Sequence, residues 1–269
     1  MVFPLLRIKC ELQGCLYLGL TVTPINPAYT ALEISRQLQS SSARLIFSHG
    51  SVSDKIAAVR LQLAEEREER GETTTILIGE HTSHSLAGWL QWEDFLALSS
   101  SEYPLAAEVD LKRDVALLPY SSGTTGLPKA VMLTQHNIVS HSCCISANDP
   151  EFFYPAAGTF QDVTVLVLPL YHIYGLSDVM TGGLHHGAKI VLLPSFQPPQ
   201  YVAALRAHRP SLLHLVPPLL SFLASSPAIS RADLASLRQI YTGAAPAGPA
   251  LIEKFYRVAP HYTVFKEGW

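Results

Sequence analysis

From residue 163 to residue 265 the sequence alternates short apolar runs with longer amphipathic ones, and this alternation restricts the fold more than any other feature. Val163–Leu168, Lys189–Leu193, Leu212–Val216, Arg238–Tyr241 and Tyr262–Phe265 read as strands. Ser177–His186, Gln200–His208, Pro218–Ala224 and Pro249–Val258 read as the helices between them. Strands alternating with helices predict βαβ units, hence an α/β protein of mainly parallel sheets flanked by helices. Ligands on such sheets lie off the carboxyl ends of the strands.

The first half is less regular. Residues 16–23 are apolar and read as β, and Pro24-Ile-Asn-Pro27 breaks that element. A helix over Ala31–Leu38, a short buried strand over Ala43–Ser48 and a helix over Ser53–Arg70 follow, with Ser53 as N-cap. The run Glu65–Arg70 reads as a solvated, ion-paired helical face. A strand at Thr74–Ile78, a helix near Trp92–Ala97, a buried strand at Asp114–Leu118, a second strand at Val131–Leu133 and a helix over His136–Ile145 complete the pattern.

A chain of 269 residues, 48% hydrophobic and 15% charged, can fill a sizeable core. Its net charge of −3 leaves no electrostatic footprint for nucleic acid or an anionic membrane. Any phosphate must be bound by a local site. Cys143 and Cys144 are adjacent and no CxxC pair occurs, so the cysteines read as reduced thiols of an intracellular protein rather than as zinc ligands. The sequence as it stands leads one to expect no secretory signal and no bilayer-spanning run, and Lys266-Glu-Gly-Trp269 does not read as a Ser-Lys-Leu address.

Chemistry concentrates in Tyr120-Ser-Ser-Gly-Thr-Thr-Gly-Leu-Pro-Lys-Ala-Val131. Gly123 and Gly126 let the backbone turn with positive φ and approach a ligand. Ser121, Ser122, Thr124 and Thr125 add hydroxyl donors, and Lys129 adds a point charge suited to phosphate. The spacing is not that of a Walker A loop: the two glycines are too close and Ala130 follows the lysine. An ordinary Ser/Gly/Thr surface turn has the same composition.

The order of this motif closely resembles the phosphate-binding signature of the adenylate-forming superfamily, which includes acyl-CoA and aryl-CoA ligases such as 4-coumarate-CoA ligase, luciferases and adenylation domains. That family usually has glycine where this chain has Ala130. Asn26-Pro-Ala-Tyr-Thr30 and Arg44-Leu-Ile46 resemble a turn and strand of the same family, and Pro169-Leu-Tyr-His-Ile-Tyr-Gly175 its Leu-Pro-x-Phe/Tyr-His-Ile-Tyr segment. The resemblance implies that His172 stands at the acid pocket and thiol tunnel, and that Tyr174 lines the acid pocket. It implies that Gly243, Ala244, Ala245 and Pro246 form a wall of the adenine and acyl pocket, with Ala245 touching the acid. Glu267 and Gly268 would begin the segment in which Trp269 stacks on adenine. Ser195 replaces a lysine that some aryl-CoA ligases carry near coenzyme A.

The implied fold is a partial large N-terminal domain: residues 1–113 a first subdomain incomplete at its start, residues 114–269 a second one cut short at its end. The implied reaction is activation of a fatty or aryl carboxylic acid by ATP to acyl-AMP, then thioester formation with coenzyme A, with Lys129 and His172 as its catalytic groups. Mg²⁺ is expected with ATP, its usual acidic ligand lying past Trp269. The compartment expected is cytoplasmic or peroxisomal, with no nucleic-acid partner. The other reading is a non-catalytic chain that at most binds nucleotide, since the acidic ligand and the mobile C-terminal domain of the family are not in the sequence.

Overall fold

The computed structural model describes residues 12–64, 73–79, 88–96, 106–121 and 128–268. They form an α/β protein of parallel sheets and helices that divides into two compact units, Met1–Asn137 and Ile138–Trp269.

In the first unit, β1 (Leu45–His49), β2 (Thr74–Ile78) and β3 (Leu90–Gln91) make a parallel sheet, with Ile46 opposite Thr75 and Ile76 opposite Leu90. Residues 12–17 are helical and are taken as α1. The β reading of residues 16–23 is thereby corrected: only Val22 makes a bridge, to Leu117. The apolar run straddles the end of a helix and the start of an extended stretch, and composition alone does not mark that switch.

Helix α2 (Ala31–Ser41) starts at a capping box. The Glu33 N–H donates to Thr30 Oγ1, and the Thr30 N–H donates to Glu33 Oε2 at 2.7 Å. Helix α3 (Ser53–Ala64) follows a short 3₁₀ turn capped by His49 rather than by Ser53, which is buried. Its expected continuation to residue 70 lies outside the described residues. Ile34, Leu38, Ile46, Ile56 and Val59 form one core between α2, α3 and β1.

Strands β4 (Val115–Leu117) and β7 (Leu133–Thr134) pair antiparallel. Residues 21–23 are stitched alongside β4: Val22 N–H donates to Ala116 O at 2.9 Å, Leu118 N–H to Val22 O at 2.8 Å, and Thr21 Oγ1 to Val115 O at 2.7 Å. These bonds hold residues 115–118 in the first unit. The two units part between Asn137 and Ile138.

The second unit starts within α5 (Gln135–Asn148), which follows α4 (Trp92–Leu96) in the chain. Strands β8 (Val163–Leu166) and β9 (Lys189–Leu192) pair in parallel, as do β10 (Leu212–Leu215), β11 (Gln239–Thr242) and β12 (Val264–Glu267). The hydrogen-bonded sheets are thus β8-β9 and β10-β11-β12, and the Ser211 N–H, just before β10, donates to Val163 O of β8 at 2.9 Å. Helices α7 (Pro198–His208), α8 (Pro217–Ser225) and α9 (Pro249–Val258) cross between successive strands, each with proline in its first turn where no N–H partner is needed. Every residue of β10 and β11 is buried, as strands covered on both faces require.

The helix expected at Ser177–His186 begins three residues earlier. Tyr174–Thr181 is a π-helical stretch that runs into α6 (Gly182–His185). Widened turns of this kind are rare and occur mostly at functional positions.

Candidate functional site

The first unit carries the phosphate motif on a hairpin. Strands β5 (Tyr120–Ser121) and β6 (Lys129–Ala130) pair antiparallel, with Ser121 opposite Lys129 and Tyr120 opposite Ala130. The strand expected at Val131–Leu133 is thus two short strands, β6 and β7, with Val131 and Met132 between them. The Val131 N–H closes the hairpin onto Pro119 O at 2.9 Å, and the Tyr120 hydroxyl meets Ser40 Oγ. Both Ser121 and Lys129 are exposed at the hairpin's mouth. Ser122, Gly123, Thr124, Thr125 and Gly126, also expected in this site, lie outside the described residues, as does Trp269.

The second unit gathers the other expected residues beyond the carboxyl ends of its strands. Gly243 directly follows β11 and Gly268 directly follows β12; the Gly243 N–H donates to Leu215 O at 3.1 Å and the Gly268 N–H to Thr242 O at 2.9 Å. A Cβ at Gly243 would lie 3.1 Å from Tyr174 Cε1, 3.3 Å from Tyr174 Cζ and 3.5 Å from Gly268 O. The absent side chain is therefore the space in which the Tyr174 ring sits. Two segments separated by nearly seventy residues of chain meet at this point.

Ala244, Ala245 and Pro246 are exposed, and Ala244 is in the left-handed region at φ 67°. An L-residue there is strained by roughly 1–2 kcal/mol. Glu267 Oε1 accepts the Ala247 N–H at 2.8 Å, so its carboxylate ties the 244–248 turn to β12. His172 is exposed six residues past the end of β8, and its Nδ1 accepts the Tyr174 N–H at 3.3 Å. Burial pushes the Tyr174 hydroxyl far above the ordinary tyrosine range, and the charge of Asp178 adds to this.

The sequence profile of the AMP-binding enzyme family matches residues 11–269. The chain belongs to the AMP-binding enzyme family.

This AMP-binding chain is 34% identical over 250 residues to 4-coumarate-CoA ligase 3 of Oryza sativa subsp. japonica, a match covering 92% of the chain and 42% of that protein. It is 33% identical over 251 residues to 4-coumarate-CoA ligase 3 of Arabidopsis thaliana, covering 92% of the chain and 41% of the relative. It thus spans less than half the length of these relatives. Two solved structures share its fold. A red-emitting luciferase from Phrixothrix hirtus superposes with a TM-score of 0.76 at 24% identity, over 93% of this chain and 46% of the luciferase. ATP-bound MatB from Rhodopseudomonas palustris gives 0.75 at 24% identity, over 96% of this chain and 46% of MatB.

Three groups of the second unit carried no sequence signal. His214, inside β10, is fully buried and sits 3.4 Å through Nδ1 from the Tyr174 hydroxyl. Burial, helped by the Arg238 charge, pushes its pKa down to about 3, so the imidazole is neutral. Its apolar neighbours Leu212, Leu213 and Leu215 made it read as a strand residue only. Asp178 accepts a 2.8 Å bond from His141 Nε2. Burial raises the Asp178 pKa against the opposing effects of His141 and His172. At the opposite ends of the strands, Asp162 is wholly buried and binds Arg238 at 2.6 Å and Ser211 Oγ at 2.6 Å.

Among the described residues no group of three His, Cys, Asp or Glu side chains is placed to hold a metal ion. No helix among the described residues is long and apolar enough to cross a membrane.

Proposed function

We propose that the chain serves ATP-dependent activation of a carboxylic acid. The acid's carboxylate attacks the α-phosphorus of ATP, acyl-AMP forms and pyrophosphate leaves; the thiol of coenzyme A then displaces AMP to give a thioester. The first step asks little covalent work of a protein, so positioning and neutralisation of charge dominate it.

Lys129 and Ser121, with Ser122, Gly123, Thr124, Thr125 and Gly126, hold the β- and γ-phosphates in this reading. Gly243, Ala244, Ala245 and Pro246, with Glu267, Gly268 and Trp269, take the adenylate. His172 and Tyr174 take the acid, Ala245 borders it, and His172 faces the incoming thiol. Residues 1–113 and 114–269 correspond to two subdomains of such a ligase, working in the cytoplasm or the peroxisome.

The observation that carries the reading is the seat of Tyr174 on Gly243. It joins the His-Ile-Tyr and Gly-Ala-Ala-Pro segments at the carboxyl ends of a parallel sheet, where ligands of such sheets bind. The relatives named 4-coumarate-CoA ligase favour an aryl acid.

ATP–pyrophosphate exchange on the purified chain, with fatty and cinnamic acids supplied in turn, tests this. Acid-dependent exchange is expected, with a loss of about a hundredfold or more in Lys129→Ala. Nucleotide binding without exchange would replace activation by the non-catalytic reading, and exchange unchanged in Lys129→Ala would remove the phosphate assignment.

A further inference from the structure

Among the described residues, His214 is the buried polar side chain that reaches Tyr174, and its surroundings fix what it can do there. Its ring stacks on Tyr241 at a centroid distance of 5.1 Å and an interplanar angle of 8°. Phe153 stacks on it at 5.4 Å and Phe152 lies tilted at 4.8 Å. Rings on several sides leave the imidazole little freedom to rotate. Nδ1 meets the Tyr174 hydroxyl, and Nε2 is buried without a hydrogen-bond partner among the described residues.

Leaving one ring nitrogen buried and unpaired is costly, and a leucine would fill a similar volume without that cost. Among the described residues, the Tyr174 hydroxyl is therefore the imidazole's only hydrogen-bonding contact. The same hydroxyl also lies 3.5 Å from the Tyr241 carbonyl oxygen. It has a single proton, and both groups within reach, His214 Nδ1 and Tyr241 O, lie in the interior. The remainder of the Tyr174 side chain lies with its ring edge against Gly243.

The geometry points to His214 as a specificity-determining residue that draws the Tyr174 hydroxyl inward, so that the acid site presents bare ring at this wall and selects carboxylic acids with unhydroxylated aryl or other apolar tails. This rests on the acid-activation reading above. A hydroxyl on the acid's tail finds no proton donor at Tyr174, because the single proton of that side chain is directed at His214 Nδ1 and the Tyr241 carbonyl. Burying the tail's oxygen there without a donor costs affinity. Without His214, the Tyr174 hydroxyl keeps only the long 3.5 Å contact to the Tyr241 carbonyl, and its proton can turn to serve such a group.

The test uses the purified 269-residue chain, with cinnamate and 4-hydroxycinnamate as probes in calorimetric titrations. The wild type is expected to bind cinnamate about tenfold more tightly. His214→Leu should bring the two affinities within about twofold, chiefly by tightening 4-hydroxycinnamate. His214→Gln, which can still contact the hydroxyl, should keep most of the preference. In a Tyr174→Phe background, His214→Leu should leave the ratio unmoved. A ¹³Cζ tyrosine spectrum of the ligand-free chain should show the Tyr174 resonance shifting in His214→Leu; this checks the contact itself and needs no acid. Should His214→Leu prove unfolded by circular dichroism, His214→Gln and Tyr174→Phe carry the test. A wild type that prefers 4-hydroxycinnamate, a ratio unchanged in folded His214→Leu, or an unmoved Tyr174 resonance overturns the proposal. A wild type that binds neither acid overturns the acid-site reading and this proposal together, whereas binding of both with no dependence on His214 overturns this proposal alone.

Discussion

The Tyr174 ring rests where a side chain of residue 243 would be, 3.1 Å from the position of its Cβ. Contacts that short are tighter than most real Cβ packing, and the ring is held from behind by His214 and the Tyr241 carbonyl. Gly243→Ala should therefore displace Tyr174 rather than be absorbed. The expected result is a KM for the acid raised about tenfold or more with the KM for ATP changed little, measured by pyrophosphate exchange. A Gly243→Ala variant with unaltered acid KM would separate this contact from substrate binding.

Gly175 is a second position where only hydrogen fits. A Cβ there would lie 2.6 Å from Pro169 O and 3.2 Å from Leu168 O, both backbone atoms that cannot swing away. Gly175→Ala should destabilise the chain by about 2–4 kcal/mol, as overpacking against rigid neighbours does. Urea unfolding followed by circular dichroism measures it.

Asp162 has no exposed surface, and its charge is met by Arg238 Nη2 at 2.6 Å, Arg238 Nε at 3.3 Å and Ser211 Oγ at 2.6 Å. It also accepts the Tyr154 N–H at 2.8 Å. Removing one partner leaves the other's charge uncompensated, so Arg238→Met should cost about 3–5 kcal/mol in the same unfolding experiment. Replacing both, as Asp162→Asn with Arg238→Met, should cost less than the sum of the single changes.

Ala244 lies in the left-handed region, where glycine is unstrained. Ala244→Gly should stabilise the fold by up to about 1 kcal/mol, the relief of strain being partly offset by the greater freedom of glycine in the unfolded chain. A shift of the denaturation midpoint to higher urea at unchanged slope is the expected signature.

His214 links stability to pH. Its pKa is pushed down to about 3 in the fold, and an unfolded histidine titrates near ~6.5. Between these values the unfolded chain binds the extra proton, so the contribution of His214 is complete above pH ~6.5 and declines as the pH falls toward ~3. Unfolding midpoints measured from pH 7 to pH 4 should fall less steeply in His214→Leu than in the wild type.

The βαβ pattern of residues 163–265 could be read from the sequence because short runs rich in Leu, Ile and Val alternate there with longer helical ones, and the two strands LLHL and QIYT are buried throughout although each includes polar residues. The motifs at 120–131, 169–175 and 243–246 were legible because glycine, proline and hydroxyl residues mark turns whatever surrounds them. The helix at 12–17 was not legible, because an apolar run of that length suits either element until packing selects one. Nor was the antiparallel hairpin that sets Lys129 opposite Ser121, since register depends on partners rather than on composition.

The sequence by itself determined the α/β class and the family, since these depend on local residue order. Only the tertiary structure decided that Tyr174 fills the space left by Gly243, that His214 is a neutral buried partner of that tyrosine, and that Arg238 neutralises Asp162 across 76 residues of chain. The physical reason is the same in each case. A histidine among leucines acquires a role only when folding removes its water and supplies a single hydroxyl in its place, and that environment is a property of packing.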